Sequence, residues 1–310
     1  MMENTLNVVL GGTRNVGHFV VEELRKRNMP IRIVARTPIN DSDFMQGDMS
    51  NTDDIKQVLE GAKTVYVCSS FPYSTKVWQQ EWPMFMERLI DIAASGAMKI
   101  VYLDNTYLYG PAPLQNPITE DHPSIPVSQK GEIRKKVTEK LIEAAAAKKV
   151  DAVIGRSANF VTPIFKVGLL YNSFLEKMLM DKDPDYLGNP NAPQTFSYVP
   201  DVARALVELG VSDLHSGEVF HLPVLDPLKP VEILSIFNQA LDKNLKIKEL
   251  SKGMQRFLGL FSPILKELLD TRYQTDWAYV MDDSKFREAF PAFEITPTTE
   301  AYQQVVHSFI

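Results

Sequence analysis

Cysteine is almost missing from this chain, with one residue, Cys68, among 310. A single thiol excludes an internal disulfide framework and any zinc site built on cysteines. The five histidines (His18, His122, His215, His221 and His307) are scattered, and none forms a metal-type pair on a helix. Long apolar runs are lacking too: none approaches the roughly 20 residues of a membrane span. Residues Met1 to Thr5 lead straight into the first apolar segment without a signal-peptide pattern, so the chain is expected to stay in the cytoplasm. Positive charge is in deficit, with 33 Lys and Arg against 39 Asp and Glu and a formal net charge of −6. That balance argues against a broad electropositive surface, so nucleic acid is not an expected partner.

What remains is an ordinary globular composition, 45% hydrophobic and 23% charged. The length suits two domains, or one large α/β unit with an added lobe. Short Val- and Ile-rich segments at 6–10, 31–35, 64–68, 99–103 and 151–155 alternate with helical patterns at 15–27, 52–60, 79–95 and 128–148. Alternation of this kind builds a doubly wound parallel sheet covered on both faces. Beyond residue 163 the pattern loosens into helices near 164–181, 201–210, 230–243, 253–272 and 298–309, with extended pieces at 195–199 and 218–222. The expected fold class is therefore α/β, a Rossmann sheet over 1–163 to which 195–222 returns. A smaller, mainly helical lobe over 164–194 and 223–310 is expected to carry the substrate.

The chemistry starts at Gly11-Gly12-Thr13-Arg14-Asn15-Val16-Gly17, between the first strand and the first helix. Strand, glycine turn and helix in that order form a dinucleotide-binding turn, with backbone N–H groups and the helix N-terminus facing a pyrophosphate. Arg14 stands where the usual spacing has its middle glycine. Its guanidinium is either a further phosphate ligand or a solvated side chain. The second strand ends on Arg36, with no carboxylate near it. An acidic residue there accepts from the ribose 2′-OH of NAD, whereas an arginine accommodates a 2′-phosphate, so the expected cofactor is NADP, with NAD the alternative. Cys68 lies in a strand pattern and reads as a small hydrophobe.

Further segments resemble the extended, epimerase/dehydratase-like branch of the short-chain dehydrogenase/reductase superfamily. Gly47-Asp48 resembles its adenine-contacting segment, and Thr106-Tyr107-Leu108-Tyr109-Gly110-Pro111 its "VYG" stretch. Gly155 to Pro163 is similar to its R-x-x-N-x-Y-G-P segment and Phe196 to Ala203 to its "VxDVA" segment. The resemblance implies cofactor contacts from Gly11, Thr13, Arg14, Asn15, Val16, Gly17, Arg36, Asp48, Met49, Cys68 and Ser69, and a substrate contact from Asn159.

The resemblance breaks at the family's Ser/Thr, Tyr and Lys, where the tyrosine moves the proton. Asn105 takes the Ser/Thr position, Lys130-Gly131 the Tyr-Gly pair and Arg134 the lysine. The segment 130–134 resembles the K-x-x-[VI]-R of atypical, isoflavone-reductase-like members, in which a lysine serves the active site. Lys130 is then the expected proton carrier and Arg134 a cofactor contact, one helical turn apart; the alternative is that both belong to a solvated, charged helix face. Asn105 and Tyr107 would hold the substrate oxygen. Phe71, Tyr73, Trp78 and Trp82 either line an apolar substrate pocket or pack a dimer interface. Apolar stripes on 79–95 (Phe85, Leu89, Ile92) and 128–148 (Val137, Leu141, Ala144, Ala145) suggest a homodimer. The expected activity is oxidation or reduction of a small carbonyl or alcohol compound with NADP. The alternatives are a nucleotide-sugar epimerase or dehydratase, and a dinucleotide-sensing regulator without turnover.

Overall fold

The computed structural model describes residues 5–214, 216–249 and 267–310. The chain divides into two compact units: the first comprises 1–105, 133–156 and 202–222, the second 106–132, 157–201 and 223–310.

The first unit is a seven-stranded sheet wrapped by helices. Its strands are β1 (Leu6–Leu10), β2 (Ile31–Ala35), β3 (Phe44–Gln46), β4 (Ala62–Val67), β5 (Lys99–Asn105) and β6 (Asp151–Ser157), joined at the edge by β10 (Val219–His221). The order is β10-β6-β5-β4-β1-β2-β3, and β1 pairs in parallel with β2 and with β4. The chain runs outward from β1 to β3, then crosses back to β4 on the other side. This reversal is the switch point at which α/β sheets bind ligands, outside the carboxyl ends of the strands. Helices α1 (Asn15–Lys26), α2 (Thr52–Leu59), α3 (Thr75–Gly96) and α4 (Gln129–Ala146) connect the strands. Their apolar stripes face the sheet: Val16, Val20 and Leu24 of α1 are buried, as are Phe85 and Leu89 of α3 and Val137 and Leu141 of α4. Asn51 caps α2, its side chain accepting from the N–H of Asp53 at 2.9 Å and of Asp54 at 3.3 Å.

The second unit holds β7 (Asn159–Val161) paired with β9 (Phe196–Tyr198), β8 (Asp185–Tyr186) paired with β11 (Lys248–Glu249), and helices α5 (Glu176–Leu179), α7 (Pro230–Leu241), α8 (Tyr273–Asp276), α9 (Ser284–Ala289) and α10 (Thr298–His307). Helix α6 (Val199–Val211) runs from this unit into the first. One core gathers Phe174, Tyr186, Phe196, Phe237 and Tyr302, and a second gathers Leu108, Tyr109, Ile118, Tyr279 and Met281.

Two differences from the sequence reading have local causes. Segment 106–132 groups with the second unit, because Ile118 bridges to Met281 and Tyr109 packs in the same core. The helix expected over 164–181 begins only at Leu169 and runs to Leu179, with a π-helical turn, Tyr171–Leu175, ahead of the single turn of α5. Pro163, Gly168 at φ +95° and Ile164 at φ +58° keep the preceding stretch irregular. Most of the helix expected at 253–272 lies outside the described residues.

Candidate functional site

In the first unit, the turn after β1 is shaped by backbone contact. Gly11 has φ +84°, and a Cβ on Gly17 would stand 2.3 Å from the Gly11 carbonyl oxygen, so the opening turn of α1 sits directly on the loop. The left-handed residue inside the turn is Asn15 (φ +45°), whereas Arg14 is extended and exposed. The arginine therefore does not occupy a position that needs glycine, which corrects the spacing read from the sequence. The Asn15 Oδ1 is buried without a hydrogen-bond partner. The unpaired N–H groups that open the 12-residue helix α1 fit the pyrophosphate region of a dinucleotide.

The other expected cofactor contacts lie on the same carboxyl edge of the sheet. Arg36 follows β2 and is exposed. Asp48 and Met49 follow β3; the Asp48 carboxylate accepts from the Ser50 N–H at 2.9 Å and Oγ at 2.8 Å, and Met49 is buried. Cys68 and Ser69 follow β4, which ends at Val67, and both are half-buried. Desolvation pushes the Cys68 thiol up to about 12, so it is not a nucleophile at neutral pH. Asn105 is the last residue of β5.

Arg134 does something else. Its side chain is buried at 3% exposure, with Nε donating to Asp104 at 2.9 Å and one terminal amine at 2.5 Å. The guanidinium lies 4.4 Å from the Trp82 ring centroid and 5.0 Å from that of Tyr102. Arg156 also reaches Asp104, at 3.3 Å, and Thr138 donates to it at 2.9 Å. Burial works to raise the Asp104 carboxyl, but the two arginine charges together with the hydrogen bonds outweigh it and hold the group below the usual carboxylate range. Asp104 thus holds the guanidinium that is expected to contact the cofactor. The aromatic segment is likewise engaged within the first unit. Phe71, Trp78 and Trp82 are buried in the first unit's own core, Phe71 edge-on to Trp82 at 5.1 Å, and only Tyr73 is half-buried.

In the second unit, Lys130 is fully buried at the start of α4. Its Nζ donates to the Glu267 carboxylate and, at 3.0 Å, to the Glu267 carbonyl, and lies 3.8 Å from Asp270. The Asp270 carboxylate accepts the backbone N–H of Gln129 at 3.4 Å and of Lys130 at 3.3 Å, capping α4. Nearby in the chain, Thr106 Oγ1 accepts from Gln274 at 3.0 Å and from the Tyr279 hydroxyl at 2.5 Å, and Tyr273 donates to the Tyr107 carbonyl at 3.1 Å. Tyr107 and Asn159 are half-buried in this unit. The segment from Glu267 to Tyr279 was not singled out in the sequence. No local spacing reveals a partner about 140 residues away.

A model of the NAD dependent epimerase/dehydratase family matches residues 7–220. The dTDP-6-deoxy-L-talose 4-dehydrogenase (NAD(P)(+)) of Kitasatospora kifunensis is 26% identical over 164 residues, covering 49% of this chain and about half, 52%, of that enzyme. Among solved structures, the NAD complex of dTDP-glucose 4,6-dehydratase from Bacillus anthracis superposes with a TM-score of 0.81 at 14% identity, covering 98% of this chain and 96% of that one. The UDP-glucose 4-epimerase of Thermotoga maritima, solved with UDP-glucose, gives 0.77 at 16% identity, with 98% of each chain covered. At such identities the structures show a shared fold.

Proposed function

The chain belongs to the NAD dependent epimerase/dehydratase family, and from that premise we propose that it is an atypical, NADP-binding oxidoreductase acting on a small carbonyl or alcohol compound. The observation that carries this reading is Lys130, a fully buried ammonium at the start of α4 where the family resemblance places a tyrosine. A nicotinamide dinucleotide, when bound, donates or accepts hydride. The chain's own residues do the rest. The turn 11–17 and the N-terminus of α1 hold the pyrophosphate, with Thr13, Asn15 and Val16 in the turn. Arg36, with Arg14 after the neighbouring strand β1, holds the 2′-phosphate. Asp48 and Met49 flank the adenine, and Cys68 and Ser69 line the cofactor's path. Lys130 passes a proton at Nζ to or from the substrate oxygen, which Asn105 and Tyr107 hold and Asn159 approaches.

A nucleotide-sugar epimerase or dehydratase is the second reading, supported by the names of the solved relatives. The curated relative is named as a dehydrogenase, which supports hydride transfer as the net reaction. Among the described residues no helix is long and apolar enough to cross a membrane, and a cytoplasmic location is part of the proposal. So is a homodimer, on altered grounds. Phe85, Leu89, Val137, Leu141 and Ala145 are buried within the first unit, which corrects the apolar-stripe argument. An interface through α3 and α4 would instead pair their outer faces, which carry Glu87, Arg88, Asp91, Lys136, Glu139 and Lys140.

Cofactor choice is tested by fluorescence titration with NADPH and NADH. NADPH is expected to bind more tightly by about 1–3 kcal/mol, the worth of a charged hydrogen bond. Arg36→Ala should remove most of that difference. Equal affinities in the unmodified protein would refute the NADP assignment.

A further inference from the structure

The chain leaving β2 is held on both sides of one residue, Arg36. We propose that Gln46 is a specificity-determining residue for the phosphorylated dinucleotide, positioning the Arg36 guanidinium; this rests on the reading of Arg36 as the 2′-phosphate ligand. Strands β2 and β3 run in parallel with Ala35 opposite Gln46. Just past that pair, the Gly47 N–H donates to the Ala35 carbonyl at 3.1 Å, and the Gln46 side-chain amide donates to the Arg36 carbonyl at 2.9 Å. A peptide unit is planar, so these two carbonyls mark the planes that flank the Arg36 Cα, and holding both fixes its φ and ψ. The direction of the Arg36 Cα–Cβ bond is then set before any ligand arrives.

The segment that carries Gln46 is itself anchored. The Asp48 N–H donates to Asp54 at 2.9 Å, the Asp48 carboxylate accepts from the Ser50 N–H and Oγ at 2.9 and 2.8 Å, and Arg88 donates to the Ser50 carbonyl at 2.8 Å. The loop between β2 and β3 carries two carboxylates that could neutralise Arg36, Asp41 and Asp43. Arg25 of α1 holds both, at 2.7 and 2.9 Å, and its hydrogen bond keeps the Asp41 carboxyl below the usual range. Among the described residues no carboxylate stands within ion-pair distance of Arg36. An exposed guanidinium with a fixed backbone and no protein counter-ion suits a phosphate, with which it forms charge-assisted bonds. NADH carries a neutral hydroxyl at that point, so the placing of Arg36 bears on the phosphorylated form.

Fluorescence titration of the full chain with NADPH and NADH tests this on Gln46→Met, which keeps the length of the side chain and lacks the donor. NADPH affinity is expected to fall about three- to tenfold, the contribution of one hydrogen bond, while NADH affinity stays within about twofold. Gln46→Ala, a second removal of the donor at this exposed site, should match it. In the Arg36→Ala background Gln46→Met should cost NADPH nothing further, because a residue that acts through the guanidinium has nothing left to position. Adenosine 2′,5′-bisphosphate, titrated calorimetrically, should reproduce the loss, and 5′-AMP should not. An equal loss for NADPH and NADH, the mark of a general structural role, overturns the proposal. So does an unchanged preference for NADPH in Gln46→Met. Failure of the underlying reading shows separately, as equal affinities of the unmodified protein for the two dinucleotides, and it removes the proposal with it.

Discussion

Asp104 and Arg134 set much of the first unit's behaviour at the scale of single residues. The Asp104 carboxyl is held below its usual range in the folded chain, because the charges of Arg134 and Arg156 outweigh the cost of burial. A depressed folded-state value means that the group adds stability above the unfolded value, near pH 4, and that this is lost as pH falls through the folded value. Denaturant unfolding at pH 7 should therefore show Asp104→Asn destabilised by about 3–5 kcal/mol, since two buried guanidinium groups lose their counter-charge. The gap between variant and parent should narrow as the pH is taken well below 4. A constant gap would mean that the carboxyl is not ionised in the fold. The arginine at 134 was visible in the sequence as a departure from the family's lysine. Its partner was not, because Asp104 lies 30 residues earlier on another strand.

At the scale of elements, the glycine turn and α1 make the strongest forecast. A methyl group on Gly17 would meet the Gly11 carbonyl at 2.3 Å, and that contact is with backbone, which cannot move aside without opening the turn. Gly17→Ala should lower stability by about 1–3 kcal/mol and weaken NADPH binding at least about tenfold, measured by thermal unfolding and fluorescence titration. Normal binding in that variant would show that the turn does not hold the dinucleotide. Elements of this kind were legible because their signals are local: β1 and β2 fall where the Val and Ile runs put them, and α1 and α2 start at the expected residues. The apolar spacing after Pro163 predicts helix from residue 164, but the helix begins at Leu169, because the backbone geometry at Ile164 and Gly168 keeps the first residues irregular.

On the scale of the whole molecule, the parallel sheet and its switch point were readable from alternation alone, since each crossover helix must bury one face on the sheet. The convergence of Glu267 and Asp270 on Lys130 was not readable, because it depends on how distant segments of the second unit return to one another. A homodimer through the charged outer faces of α3 and α4 should be salt-sensitive, as exposed charges are screened over about 10 Å at 0.1 M salt. Light scattering should show the dimer at low ionic strength and its dissociation as salt is raised. A mass that does not change with salt would contradict this mode of assembly.

The most direct test of the account compares the unmodified protein with Lys130→Met, following NADPH oxidation against a panel of neutral carbonyl compounds and NADPH affinity in parallel. The account predicts that both proteins bind NADPH within a few-fold of each other, that the unmodified protein reduces at least one compound, and that the variant is slower by about 10²–10⁴. A variant that reduces the same compound at the unmodified rate would contradict it.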